Sequence, residues 1–279
     1  YYPKLFNTTN MKEKKKETRR EFIKKSAGAA ALLSMPTIIP SSVFGANGKV
    51  SVAVIGVNGR GGSHIQGFMN LPNAEVTCLC DCDLNVLGPK AKEFETRYSK
   101  KVKQEQDLRN VFADKSIDAV SIATPNHWHA LATIWACQAG KDVYVEKPGA
   151  HNIYEGRKMV EAANKYDRIV QHGVQLRSSV AVQEAIKHLR DGLIGRVYMA
   201  RGLVFRWRGD VGKKGPGTIP QGLDYDLWTG PAEMKPFSED WVHYNWHWHW
   251  NWGNGDVGNQ GIHETDLCMW GLDVGLPEV

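Results

Sequence analysis

The feature that most limits how this chain can fold is a short, β-branched, unalternating run, Val50-Ser51-Val52-Ala53-Val54-Ile55, closed by the glycine-rich loop Gly56-Val57-Asn58-Gly59-Arg60-Gly61-Gly62. Such a run suits a strand covered on both faces, and Ser63 to Met69 after the loop can begin a helix. Glycines permit a tight turn and let main-chain N–H groups approach a pyrophosphate, which the positive end of the following helix favours. A second apolar run, Val76 to Cys80, leads into Asp81, twenty positions beyond Gly61. A carboxylate there can accept both hydroxyls of an adenosine ribose and repels a 2'-phosphate, so the layout points to NAD rather than NADP. The regular G-x-G-x-x-G would place glycine at 58, where this chain has Asn58, with a glycine displaced to 59. Asparagine tolerates left-handed backbone angles, so the turn is expected to survive.

The 279 residues suffice for two domains, and the formal charge of +5 raises the question of an anionic partner. Residues 1–46 carry nine Lys or Arg against three Glu, a net of +6, which leaves 5 minus 6, or −1, for the rest. Nucleic-acid binding thereby loses its main support. In that leader, Thr18-Arg19-Arg20-Glu21-Phe22-Ile23-Lys24 precedes the apolar Ser26 to Leu33, and small residues follow near Gly45 and Ala46. It resembles a twin-arginine export signal, with Met11 as the start and residues 1–10 as upstream sequence. Pro36 and Pro40 interrupt the apolar stretch, which is too short to span a bilayer, so no stable membrane anchor is expected. The twin-arginine export machinery is thus an expected partner and the periplasm, or the exterior, the expected location. That route moves folded proteins, so a cofactor can be loaded before transit. The five cysteines, with Cys78, Cys80 and Cys82 alternating along one strand, read as small core residues rather than a disulfide or metal framework.

Strand and helix patterns keep alternating: helix over Asn85 to Tyr98, strand over Ala119 to Ala123, helix over Ala130 to Ala139, strand over Asp142 to Val145. This predicts a Rossmann-like, doubly wound parallel sheet whose ligands bind beyond the carboxyl ends of the strands. Two polar clusters stand at those ends. In the first, Thr124-Pro125-Asn126-His127-Trp128-His129, proline forces an extended turn and lets Asn126 and His129 face the crevice. In the second, Glu146-Lys147-Pro148, burial beside a cationic nicotinamide lowers the proton affinity of Lys147 and makes it a usable acid or base near neutrality.

The glycine loop, Asp81, Thr124-Pro125-Asn126 with His129, and Glu146-Lys147-Pro148, in this order and spacing, resemble the Gfo/Idh/MocA oxidoreductases from about Lys49 onward. The resemblance implies a nicotinamide cofactor held by Gly56, Asn58, Gly59, Arg60, Gly61, Asp81, Thr124, Pro125, Asn126, His129, Glu146 and Lys147, with Lys147 as catalytic acid/base. It also implies a carbohydrate substrate, a sugar, polyol or related compound, in a second domain built on an open, mainly antiparallel sheet. The chain then divides into a leader (1–46), a nucleotide-binding Rossmann domain (47–170) and a partial α+β substrate domain (171–279).

In the last part, a helix over Val180 to Asp191 and a long strand over Arg196 to Trp207 are expected. Gln175 and Arg177 are candidate substrate contacts, and Leu227-Trp228-Thr229-Gly230 resembles a family loop near the nicotinamide, or is an ordinary turn packed by Trp228. In Asn245-Trp246-His247-Trp248-His249-Trp250-Asn251-Trp252, strict alternation places four tryptophans on one face of a strand and His or Asn on the other. The tryptophans then either face a sugar, with Trp246 and His247 as contacts, or pack in a core. His247-x-His249 lacks a third metal ligand, and no metal is predicted. The segment Asp256-Val257-Gly258-Asn259-Gln260-Gly261-Ile262-His263 resembles the family's helix-opening motif, which makes His263 a second catalytic residue beside Lys147. Asn259, four residues earlier on the same face, stands where many members carry Asp and serves substrate positioning, because an amide takes no proton. The resemblance leaves three activities open: an oxidoreductase acting on a secondary hydroxyl or ketone, a glycoside hydrolase using bound NAD transiently, and a non-catalytic carbohydrate-binding relative. Family members continue beyond Leu276 to Val279, so a C-terminal truncation and, for the longer protein, a homo-oligomer are expected.

Overall fold

A computed structural model describes residues 48–275, residue 206 excepted. The leader and the last four residues lie outside this range, and with them the expectations on export and truncation. Among the described residues, no helix is long and apolar enough to cross a membrane.

Six strands form one parallel sheet: β1 (Val50–Ile55), β2 (Ala74–Cys80), β3 (Lys103–Glu105), β4 (Ala119–Ile122), β5 (Asp142–Glu146) and β6 (Val170–Gly173), in the order β3-β2-β1-β4-β5-β6. The lack of alternation in β1 has the expected cause. Ala53 and Ile55 enter one buried cluster with Ile122 and Val145, while Val54 enters another with Val76 and Leu79, so both faces are covered. The covering helices are α1 (Arg60–Met69), α2 (Leu84–Tyr98), α3 (Leu108–Ala113), α4 (Asn126–Gln138) and α5 (Ile153–Tyr166). The chain order reverses between β1 and β4, which opens a crevice at their carboxyl ends. α1 starts three residues earlier than the pattern suggests, and α4 begins directly after Pro125, so Asn126 to His129 form its first turn rather than a loop. Pro125 is the N-cap of this helix, with φ −57° and ψ 154°, a position whose N–H has no intrahelical partner to lose.

Beyond β6 come a 3₁₀ turn (Gln175–Ser178), α6 (Val180–Arg190), α7 (Tyr225–Thr229), a second 3₁₀ turn (Asn245–Trp248), and a π turn (Val257–Gly261) that runs into α8 (Ile262–Leu272). The strand expected over Arg196 to Trp207 is not formed, and no paired antiparallel strands occur among the described residues; one isolated antiparallel bridge joins Asp83 and Leu223. A β-prone stretch becomes a strand only when a neighbour accepts its backbone groups, and here the side chains of Tyr198, Met199, Leu203, Phe205 and Trp207 are all exposed.

The tryptophan-rich segment also departs from the alternating strand. Trp246 and Trp252 are buried with Tyr225, Trp228 and Phe237, whereas Trp250 is 89% exposed. A turn with three residues per revolution breaks the two-residue period, and burying large rings in one aromatic cluster takes the place of strand pairing.

Candidate active site

The carboxyl ends of β1, β2, β4 and β5 open into one cavity of about 640 Å³, closed from the other side by residues 227–263. Its wall holds Gly56, Asn58, Gly59, Arg60, Asp81, Thr124, Pro125, Asn126, His129, Glu146, Lys147 and Trp228, together with Gln175, Trp246, His247, Asn259 and His263. All but two of the residues expected from the sequence are therefore brought together. Gly61 lies behind the wall and Arg177 lies elsewhere.

The loop geometry places the glycine requirement differently from the motif. The left-handed residue is Gly56, at φ 83°, where a Cβ would stand 2.7 Å from the carbonyl oxygen of Ala123; Asn58 does not have a positive φ. Gly61 is needed for packing, since a Cβ there would overlap the carbonyl oxygen of Gly56. Asparagine at 58 is accommodated because that position needs no left-handed angle. Gly59 caps α1 with open space around its Cα, no side chain caps the helix, and its first turn carries no acid. Free N–H groups, the positive end of the helix dipole and room in front of them suit a dinucleotide diphosphate.

At the end of β2, Asp81 accepts from the N–H of Val57 at 2.9 Å and of Asp83 at 3.1 Å. Burial pushes its proton affinity up, while these two N–H groups and nearby His243 work against that. Each carboxylate oxygen keeps a lone pair for a ribose hydroxyl.

At the end of β5, the Glu146 carboxylate receives Arg60 Nε at 2.7 Å and His64 Nε2 at 3.0 Å, while its second oxygen accepts the N–H of Lys147 at 3.1 Å. Burial works to raise its pKa, but His64 and Arg60 overcome it and hold the carboxyl at about 2. Arg60 and Glu146 thus fix each other, tying the start of α1 to the end of β5. Lys147 Nζ donates to Asn259 twice, to its main-chain oxygen at 2.7 Å and to Oδ1 at 3.0 Å. Burial lowers the Lys147 pKa, Glu146 raises it and Arg60 lowers it. His263 is lowered likewise, by burial and then by Lys147. Its Nδ1 is buried without a partner among the described residues, which leaves Nε2 as the nitrogen with reach to a ligand.

His129, expected at the cofactor, is a clasp. Its ring nitrogens lie 2.6 Å from the Pro148 carbonyl oxygen and 2.8 Å from that of Thr124, linking the loops that follow β5 and β4. Asn126 donates to Asn254 Oδ1 at 3.1 Å, and Trp228 stacks on Tyr225 with its ring edge-on to Trp252. His247 stacks on Trp246 at 3.6 Å between ring centroids. Arg177 makes a two-pronged ion pair with Asp266 and lies against Trp270, outside the cavity. Three further contributors escaped sequence reasoning. His64 was in principle legible, four residues after Arg60 on the same helix face; Ser121, which bonds its Nδ1 at 2.8 Å, and His243 carry no local signal.

Comparison with known proteins agrees with this geometry. Residues 50–174 match the NAD-binding Rossmann fold of an oxidoreductase family, and residues 179–274 match that family's C-terminal α/β domain. A glycosyl hydrolase family 109 protein of Saccharopolyspora erythraea is 30% identical over 166 residues, 57% of this chain and 36% of that protein. A levoglucosan dehydrogenase of Pseudarthrobacter phenanthrenivorans is 36% identical over 105 residues, 37% of this chain and 27% of that protein. The chain therefore matches only about a third of the length of these curated relatives. The WlbA dehydrogenase of Chromobacterium violaceum, solved with NADH and UDP-GlcNAcA, shares the fold at a TM-score of 0.59 and 22% identity, over 81% of this chain and 56% of that one.

Proposed function

We propose, from the premise that this chain belongs to the Gfo/Idh/MocA oxidoreductase family, that it transfers reducing equivalents between NAD and a secondary hydroxyl or ketone of a sugar, cyclitol or glycoside. The observation that carries this reading is the meeting of Lys147, Asn259 and His263 in the same cavity as the uncapped helix end and Asp81. When bound, NAD supplies the two-electron acceptor or donor for the substrate carbon. Its diphosphate would lie against residues 56–61 and its adenosine ribose against Asp81.

The proton is handled by the chain itself. A neutral lysine has two N–H bonds and one lone pair, and both N–H bonds are taken by the two oxygens of Asn259. The lone pair is then left for a substrate hydroxyl, and burial helps the neutral form to exist. In the reducing direction the third N–H of the ammonium donates to the ketone oxygen. His263, kept neutral by burial and by Lys147, can hold the same oxygen. The test follows nicotinamide absorbance of the purified protein with a panel of sugars and cyclitols. A response is expected with at least one, lowered by about 100-fold or more in Lys147→Ala. Silence across the panel, or full activity in that variant, refutes the reading.

The sequence similarity to a glycosyl hydrolase family 109 protein favours one second reading, in which bound NAD is reduced and reoxidised within a single hydrolytic cycle. Among the described residues, the carboxylates in the cavity wall are Asp81 and Glu146, at different strand ends and both already hydrogen-bonded, which gives the two-carboxylate route no support. Release of free sugar without lasting NADH would distinguish this reading. We also propose export of the folded protein by the twin-arginine route, supported by Arg19-Arg20 and the apolar stretch after them. Cell fractionation of an Arg19→Lys/Arg20→Lys variant tests it, with retention in the cytoplasm expected.

A further inference from the structure

We infer that Arg208 is a positioning residue for the reaction: through Asp256 it sets where the π turn delivers the two oxygens of Asn259 to Lys147. The inference rests on the reading that Lys147 is the acid/base. Arg208 stands in the stretch after α6 that forms no strand, 48 positions before Asp256. Its guanidinium forks onto the Asp256 carboxylate, with Nε 3.1 Å from Oδ1 and 3.3 Å from Oδ2 and Nη2 2.7 Å from Oδ1. It also lies over the ring of Trp248, 4.3 Å from the ring centre. A planar fork on a carboxylate, backed by an aromatic face, fixes orientation as well as distance. The two side chains keep 29% and 34% of their surface exposed, where an ion pair contributes little stability, so the contact sets geometry rather than holding the fold.

Asp256 is the residue from which the π turn (Val257–Gly261) starts, and no side chain caps that turn. Wide turns of this kind are rare and short, so the groups at their ends decide where the residues inside them stand. On one side the turn is held through Asn254, whose main-chain oxygen accepts the N–H of Gly258 at 3.2 Å and whose amide donates to the His151 oxygen at 2.8 Å. Gly258 is close against the loop of Lys147, since a Cβ there would overlap the Asn254 side chain and stand 3.3 Å from Pro148 Cγ. On the other side the hold is the Asp256 carboxylate, and Arg208 is what it meets. Asn259, three residues on, then has its main-chain oxygen 2.7 Å and its Oδ1 3.0 Å from Lys147 Nζ. Such bonds tolerate a window of about 0.5 Å, so a small rotation of the turn loses both.

Amine acylation of the purified protein, read by peptide mass spectrometry, tests this without a substrate, using wild type, Arg208→Gln and Arg208→Lys. Release of Nζ from Asn259 is expected to speed labelling of Lys147 by about 3- to 10-fold in Arg208→Gln, the worth of one hydrogen bond. Arg208→Lys, which keeps the charge and loses the fork, is expected to fall in between. Lys141 is the internal reference, 2% exposed with Nζ bonded to the carbonyl oxygens of Asp114 and Ile117, and is expected to keep its rate. With a substrate that wild type oxidises, kcat in Arg208→Gln is expected to fall by about 10- to 100-fold while NAD affinity stays within about twofold of wild type. Labelling of Lys147 in Arg208→Gln within about twofold of wild type, or an equal rise at Lys141, overturns the inference. Silence of wild type with every sugar removes the acid/base reading, whereas the labelling decides by itself whether Arg208 sets the contact of Asn259 with Lys147.

Discussion

Replacing Asn259 by Asp puts a carboxylate where the amide oxygen now stands, 3.0 Å from Lys147 Nζ, without disturbing the main-chain oxygen at 2.7 Å. The geometry is retained and only the charge changes. Coulomb's law at about 3 Å with an effective dielectric constant of about 20 gives roughly 5 kcal/mol, an upper bound because the cavity admits water. Carboxylates this close ordinarily favour a neighbouring cation enough to move its pKa by about 1–3. The present balance, in which burial lowers the Lys147 pKa, would be reversed. In the oxidising direction Lys147 must be neutral to take the hydroxyl proton, so at neutral pH the rate falls by about 10- to 1,000-fold in proportion to the lost free amine. The assay is kcat/KM for alcohol oxidation against pH. Its acid limb should move to higher pH in Asn259→Asp, with the plateau regained in alkali, and stay near its original position in Asn259→Ala. An acid limb that does not move in Asn259→Asp would show that Lys147 is not the titrating base, and the proton-transfer argument would fall.

Three other outcomes are expected. Trp252→Ala should cost about 3–5 kcal/mol in chemical denaturation and Trp250→Ala less than about 0.5, because one ring is fully buried and the other 89% exposed; equal costs would restore the alternating strand. Gly61→Ala should lower stability by about 1–3 kcal/mol and weaken NAD binding, since its Cβ would overlap the Gly56 carbonyl and displace α1, whereas Gly59→Ala, with open space around it, should leave stability nearly unchanged in the same melting assay. The Glu146 carboxyl is held at about 2 against an ordinary 4.5, so its contribution to stability is complete above pH 4.5 and is lost as pH falls toward 2; denaturation midpoints across that window should fall less steeply in Glu146→Gln than in wild type.

Much of the nucleotide half was legible in the sequence because its signals are local. The run at Val50–Ile55 has one reading, a strand covered on both faces, and the apolar and polar clusters after it recur at βα spacing. Lys147 and Glu146 were found because the strand before them ends where ligands bind. The glycine loop was read correctly in kind and wrongly in detail. Counting positions from the motif put the left-handed angle near 58, but contact with Ala123, on a strand far along the chain, puts it at Gly56. His129 stands in the cavity wall as its motif suggests, but its ring nitrogens also meet the carbonyl groups of Pro148 and Thr124, which only the fold brings near.

The segments after β6 show where sequence reasoning stops. Alternation in residues 245–252 and β-branched, aromatic residues in 196–207 are real patterns, but a strand needs a neighbour to take its hydrogen bonds, and no local pattern reveals whether one exists. The sequence was enough for most strands and helices of the nucleotide half, the residues at the strand ends and the class of ligand they can hold, because backbone preference and hydrophobic period act over a few residues. Tertiary structure alone decided that Asn259 accepts twice from Lys147 Nζ, that Arg60 and His64 clamp Glu146, and that His243 reaches Asp83 across 160 positions. Those contacts depend on distances of about 3 Å between residues far apart in the chain, and distance in space is the quantity that spacing in sequence does not carry.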